Sequence, residues 1–308
     1  MYHTILVPLD GSTLAESALP FAQALAKATG ARLLLVQAVT PGNGGAPISG
    51  EERAKAMSDA EAYLAGLFPG PSEDPHVVTA AYFDDAAETI MDESHLRRSD
   101  LIVMATHGRS ALARTIYGSV AERVFQQVDV PVLFVPPDSE FTWSRSGRRK
   151  ILVPLDGSEL AEEALVPASD MAAALDAELL LLRVAGPLGY VRVEGYPDLP
   201  AGQLVEVDHR NEAESYLEAI ATDLRGDGAT VTTRVELGDP APTIVSVAED
   251  EDADVIAMAT HGRTGLARLL MGSVATRTIE TAKKPVLLVR PSSLGRISSG
   301  EGLAVAER

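Results

Sequence analysis

Two stretches carry residue types suited to holding an anion: Ala105-Thr106-His107-Gly108-Arg109 running on to Tyr117-Gly118-Ser119-Val120, and Ala259-Thr260-His261-Gly262-Arg263 running on to Met271-Gly272-Ser273-Val274. The glycine spacing is the same in both. Each follows an apolar, strand-like run and ends where a helix begins. A glycine-rich loop handing a strand to a helix N-terminus points backbone N–H groups at a common centre, and the helix dipole adds positive potential there.

Histidine as a residue type ordinarily titrates near neutrality, so His107 and His261 invite a metal or proton-transfer reading. Only one lies in each loop, and no second histidine or cysteine stands at ligand spacing, so both are read as side chains that fix the loop. Arg109, Arg114, Arg263 and Arg268 are positioned to meet phosphate or a carboxylate, or to remain solvated. Turnover chemistry lacks its parts: there is no Gly-x4-Gly-Lys-Ser/Thr loop and no dedicated base for water. Slow hydrolysis at most is compatible with this inventory.

A second motif accompanies each loop. Ile5-Leu6-Val7-Pro8-Leu9-Asp10-Gly11-Ser12 returns as Ile151-Leu152-Val153-Pro154-Leu155-Asp156-Gly157-Ser158, an offset of 146 residues. His107 and His261 are offset by 154, so the second copy carries eight extra residues, placed in the Gly/Pro-rich stretch Gly186 to Gly202. Asp before Gly is by itself a turn signal. Its duplication in register with the glycine loop makes a two-part ligand site the better reading.

The elements that must position these motifs alternate. In copy one the pattern predicts strands at Thr4–Leu9, Ala31–Val39, Val77–Tyr82, Leu101–Ala105 and Val130–Val135. Helices are predicted from Thr13 to about Ala28, at Glu51–Leu67, at Ala86–His95 and at Ser119–Gln127. Thr13-Leu14-Ala15-Glu16 has the form of a capping box, and Pro20 is expected to kink the helix that follows. Copy two predicts strands near Lys150–Leu155, Glu178–Val184, Thr230–Glu236, Val255–Ala259 and Pro285–Val289, with helices near Glu159–Ala174, Asp208–Leu224, Thr243–Glu251 and Ser273–Ala282. Continuous apolar strands alternating with helices imply parallel sheets covered on both faces. The division expected is 1–137 for the first domain, 138–149 for a linker, 150–290 for the second domain and 291–308 for a flexible tail.

Composition agrees. With 46% hydrophobic residues, 23% charged residues and no cysteine, the chain can bury real cores and contains no thiol chemistry or disulfide. A formal net charge of −18 repels nucleic acid and anionic membranes, so any phosphate site depends on local geometry. The N-terminus enters a strand at once without a leader-like segment, and the cytoplasm is the expected compartment.

These residues resemble the universal stress proteins, and the resemblance covers nearly all of residues 1–290. It is carried by Val-Pro-Leu-Asp-Gly-Ser at the first strand, Thr-His-Gly-Arg after the fourth, Gly-Ser opening the last helix, and Val-Pro-Val-Leu or Lys-Pro-Val-Leu in the last strand, in this order twice. The resemblance implies two Rossmann-like α/β domains, each a five-stranded parallel sheet of order 3-2-1-4-5, and ATP with Mg2+ held over the ends of strands 1 and 4. By position, Pro8 and Pro154 would line the pocket, and Asp10 and Asp156 would bond the adenosine part. Ala38 and Val184, ending the second strands, would offer backbone groups to the adenine edge. The phosphates would lie along Gly108, Gly118, Ser119 and Val120, and along Gly262, Gly272, Ser273 and Val274. The first glycine of the family's Gly-x2-Gly-x9-Gly-Ser/Thr motif is Ala105 here, and Ala259 in copy two. That Cβ would crowd a ligand if the backbone there had positive φ. Copy one also has Ala111 where copy two has Gly265.

In this family the last strands pair across a dimer. Val130–Val135 and Pro285–Val289 are therefore expected to pair antiparallel within the chain as a pseudo-dimer, with a further homodimer open. The resulting expectation is a nucleotide-responsive stress regulator. A nucleotide-free interaction scaffold and a slow ATPase are the alternatives.

Overall fold

A computed structural model describes residues 2–40, 49–68, 76–106, 118–136, 139, 148–185, 201–260 and 272–290, with side chains between 201 and 209 excepted. The first half contains strands β1 (Thr4–Leu9), β2 (Arg32–Ala38), β3 (Val77–Tyr82), β4 (Leu101–Ala105) and β5 (Val132–Val135). Its helices are α1 (Thr13–Glu16), α2 (Leu19–Thr29), α3 (Gly50–Gly66), α4 (Ala86–Arg97) and α5 (Ser119–Gln127). The second half repeats them as β6 (Arg149–Pro154), β7 (Ala177–Ala185), β8 (Val231–Leu237), β9 (Val255–Ala259) and β10 (Val286–Val289). There the helices are α6 (Glu159–Glu162), α7 (Leu165–Leu175), α8 (Ala201–Gly226), α9 (Pro240–Asp250) and α10 (Ser273–Thr281).

Within each half the strands run parallel in the order 3-2-1-4-5, and all ten join one sheet, β3-β2-β1-β4-β5-β10-β9-β6-β7-β8. The alternating side chains of fully buried β1 explain the layering. Ile5, Val7 and Leu9 face one layer with Leu25 of α2 and Leu64 of α3. Leu6 faces the other, with Ile90 of α4 and Phe125 of α5.

At the centre β5 and β10 pair antiparallel, with Val132 opposite Leu288, Leu133 opposite Leu287 and Phe134 opposite Val286. Two apolar edges that would otherwise be open to other chains thus cover each other. Around this seam α2 packs on α7, and the Arg290 guanidinium donates to the Gln126 carbonyl at 2.7 Å.

The structure differs locally from the sequence reading. The helix expected from Thr13 to Ala28 is two helices: α1 ends at Glu16 and α2 begins at Leu19, so that Pro20 sits in a first turn where its missing N–H costs nothing. The N-cap of α1 is Ser12 rather than Thr13, because the Ser12 hydroxyl accepts from the Ala15 N–H at 3.1 Å; Glu16 serves no capping box. Strand β6 starts at Arg149, taking up the last residue of the expected linker, and β7 continues one residue past Val184 to Ala185. The Gly/Pro-rich insertion lies outside the described residues until Ala201, where α8 begins earlier than its apolar pattern indicated.

Candidate functional site

The register of β1 on β4, with Ile5 opposite Leu101 and Leu6 opposite Ile102, carries the strands' carboxyl ends to one edge. Chain order reverses direction between these two strands, and such a switch point opens a crevice beyond the strand ends. Asp10 leaves β1 there. Its Oδ1 accepts from the Ser12 N–H at 2.9 Å and from the Ser12 hydroxyl at 2.5 Å, closing a turn over Gly11, whose φ of 78° needs glycine. Asp156 repeats the arrangement, with Ser158 N–H at 3.0 Å and Gly157 at φ 79°. The carboxylate therefore acts in the turn and stands at the crevice edge as well. Pro8, paired with Val36, and Pro154, paired with Leu182, lie in the strands just before these turns. Ala38 closes β2 opposite Tyr82, and Val184 is the penultimate residue of β7, opposite Glu236.

Across the crevice stand the N-termini of α5 and α10. Gly118 and Gly272 occupy the N-cap positions and provide no side chain to cap the helix. The first helical bonds run from Glu122 to the Gly118 carbonyl and from Thr276 to the Gly272 carbonyl. The N–H groups of Ser119, Val120 and Ala121, and of Ser273, Val274 and Ala275, therefore have no intrahelical acceptor. By contrast α1, α3, α4 and α6 are capped by Ser12, Ser49, Asp85 and Ser158, while α2, α7 and α9 also make no side-chain cap bond. Each glycine is also pinned to its strand end, Gly118 N–H to the Thr106 carbonyl at 3.0 Å and Gly272 N–H to the Thr260 carbonyl at 2.6 Å.

Ala105 and Ala259 end β4 and β9, each 8% exposed, and neither is among the described residues with positive φ. Neither position requires glycine for its backbone. Gly108, Gly262, His107, His261, Arg109, Arg114, Arg263, Arg268, Ala111 and Gly265 lie outside the described residues. Among the described residues no group of three histidine or carboxylate side chains is arranged to hold a metal ion, and no helix is long and apolar enough to cross a membrane.

The sequence reading missed the side chains that fix these elements. The Tyr63 hydroxyl of α3 donates to Glu16 at 3.0 Å, and Tyr216 of α8 donates to Glu162 at 2.8 Å, anchoring α1 and α6 behind their turns. Burial, then the Glu162 bond, raises the pKa of the Tyr216 hydroxyl. Arg123 of α5 reaches Asp85, the N-cap of α4, through Nη1 at 3.0 and 2.9 Å, and Arg277 of α10 reaches Asp239 at 2.9 Å. The two pairs are related by the same 154-residue offset as the histidines, the one signal that could have disclosed them.

The Glu88 N–H, then Arg123, holds the Asp85 carboxyl below its ordinary value. A depressed folded pKa stabilises fully above the unfolded value, about pH 4, and the contribution vanishes as pH falls through the folded value. Replacing Asp85 by alanine is expected to cost about 1–2 kcal/mol at pH 7, mostly as a lost helix cap. The deficit relative to the parent protein should shrink below about pH 4 in urea titrations at several pH values; a deficit independent of pH would contradict the assignment.

Fold and site together define a class: a tandem Rossmann-like α/β protein with an uncapped helix N-terminus facing an Asp-Gly-Ser turn at each switch point. The chain belongs to the Universal stress protein family, whose model matches residues 1–136 and 147–290. It is similar to a universal stress protein of Mycolicibacterium smegmatis, 27% identical over 298 residues that cover 93% of this chain and 97% of that one. It is also similar to one of Methanocaldococcus jannaschii, 36% identical over 142 residues, covering 46% of this chain and 82% of the relative. The crystal structure of a universal stress protein from Archaeoglobus fulgidus shares the fold with a TM-score of 0.67 at 20% identity, over 94% of this chain and 96% of that one.

Proposed function

We propose that the protein binds ATP with Mg2+ at the switch point of each half and acts as a nucleotide-responsive stress regulator. The observation that carries this reading is the pair of uncapped N-termini of α5 and α10, each opposite an aspartate turn. The N–H groups of Ser119 to Ala121, with the Ser119 hydroxyl, would donate to phosphate oxygens; Ser273 to Ala275 would do so in the second half. Asp10 and Asp156 would accept from ribose hydroxyls, and the backbone at Ala38 and Val184 would meet the adenine edge. Gly108 and Gly262 would extend the phosphate contacts.

Mg2+, when bound, neutralises phosphate charge, which matters in a chain of net charge −18. The strand ends and turns supply rigid positions, and none of these residues forms a pair of the kind that activates water. Regulation would follow if nucleotide occupancy alters how the helix N-termini present themselves to a partner.

The test is an isothermal titration of nucleotide-stripped protein with ATP and Mg2+. Two sites per chain are expected. A single site would restrict the reading to one half, and absence of heat together with absence of binding in equilibrium dialysis would overturn it.

A further inference from the structure

The halves diverge where their turns otherwise repeat. Gln37 of β2 and Arg183 of β7 are equivalent, 146 residues apart, each one residue beyond the partner of Pro8 or Pro154. Two residues earlier, Leu35 and Leu181 face the layer of α2, α3, α7 and α8, and strand alternation puts Gln37 and Arg183 on that same face.

In the second half the guanidinium lies against the Asp156-Gly157-Ser158 turn, filling the space that a Cβ on Gly157 would take. Its Cζ stands 5.4 Å from the centroid of the Tyr216 ring, which holds it in place as a cation–π pair. In the first half the turn and the Tyr63–Glu16 bond are preserved, yet the equivalent position of β2 carries a neutral amide. Gln37 is 8% exposed, and its Oε1 has no hydrogen-bond partner among the described residues.

We infer that Arg183 makes the second site selective for the more highly charged adenine nucleotides, while the first site, with Gln37, discriminates less between ATP and uncharged adenosine. The inference rests on the nucleotide reading above. The carboxylates of Asp10 and Asp156 stand at the crevice edge and repel a polyphosphate. In the second half a fixed cation beside the turn offsets that repulsion; in the first half nothing at the equivalent position does. Adenosine carries no charge for the guanidinium to act on, so the difference appears in the ratio of the two affinities.

Variants G272V and G118V leave only the first or only the second site for measurement. Each is titrated with ATP and with adenosine by equilibrium dialysis. The ratio of adenosine Kd to ATP Kd is expected to be about tenfold larger at the second site, the scale of one partly screened charge acting over several ångströms. R183Q should bring it down to the first-site value, R183K should retain it, and the reciprocal Q37R should raise the ratio in the other half. The gap should narrow in 1 M NaCl, where screening acts within about 3 Å. The Q37R arm keeps the proposal falsifiable if R183Q folds poorly. ATP binding with a ratio unmoved by R183Q and Q37R would overturn the inference and leave the nucleotide reading standing. Absence of any adenine-nucleotide binding in the unsubstituted protein would overturn both.

Discussion

Replacing Phe134 by alanine should destabilise the protein by roughly 3–5 kcal/mol, the range for truncating a fully buried aromatic that leaves a cavity. The ring is 1% exposed and sits on β5 at the seam, opposite Val286 of β10. It meets Phe125 of α5 edge-on, with centroids 5.8 Å apart at 68°. Its loss thus loosens three things at once: the β5–β10 pairing, the packing of α5 on the sheet, and the layer shared by the two halves. The measurement is urea unfolding followed by circular dichroism. Leu96→Ala serves as a surface control, because Leu96 is 69% exposed and should change stability by less than about 0.5 kcal/mol. Phe125→Ala alone and with Phe134→Ala completes a cycle. A coupling of about 0.5–1.5 kcal/mol is expected for an edge-to-face pair. A Phe134→Ala loss below 1 kcal/mol would mean that the seam does not carry the packing described.

The architecture was legible because its signals are local and repeated. Val77–Tyr82, Leu101–Ala105, Ser119–Gln127 and Val255–Ala259 have the boundaries expected from their apolar patterns. The Thr13 helix was misread for a related reason. Thr13-x-x-Glu16 satisfies a capping pattern, but Ser12 already stands in the Asp-Gly-Ser turn with its hydroxyl aimed at the helix, and the earlier cap wins. Pairs such as Tyr63–Glu16 and Arg123–Asp85 leave no local pattern because their partners lie 47 and 38 residues apart, and only the repeat offset hints at the second. Only the packing of α3 on α1 and of α5 on α4 brings them within reach. The divergence of Gln37 from Arg183 was present in the duplicated pattern, but its meaning depends on Tyr216 and Gly157 closing around the guanidinium, which no spacing reveals. The alanines at 105 and 259 carried the opposite lesson. Their departure from the motif matters only if the backbone needs positive φ, and at the ends of β4 and β9 it does not.

Valine at both Gly118 and Gly272 should lower ATP affinity by at least about 100-fold, equal to two lost charge-assisted hydrogen bonds at the lower end of their range, while the fold persists. The fold should tolerate the change because Gly118 has φ −56° and ψ 145°, and Gly272 has φ −68° and ψ 150°, extended backbone that β-branched residues favour. Among the described residues, a Cβ on Gly118 would meet only the Thr106 carbonyl oxygen, at 4.0 Å. Glycine at 118 is therefore not demanded by the backbone or by packing among the described residues, and the space it leaves open adjoins the first-turn N–H groups of α5, which have no intrahelical acceptor. A branched side chain there would fill the ground that phosphate oxygens occupy in the proposed complex. Each single variant should remove one of the two proposed sites, and the double variant both, with the fold retained and a cost of no more than about 1 kcal/mol per site, since valine is a poorer N-cap residue than glycine. Gly118→Ser separates this account from a merely structural one. Its hydroxyl can cap Val120 or Ala121, which should add up to about 0.5 kcal/mol to stability while competing with phosphate for the same donors. Higher stability with weaker binding is the signature of a helix end kept open for an anion. Unchanged ATP affinity in the double valine variant would mean that the ends of α5 and α10 hold no nucleotide.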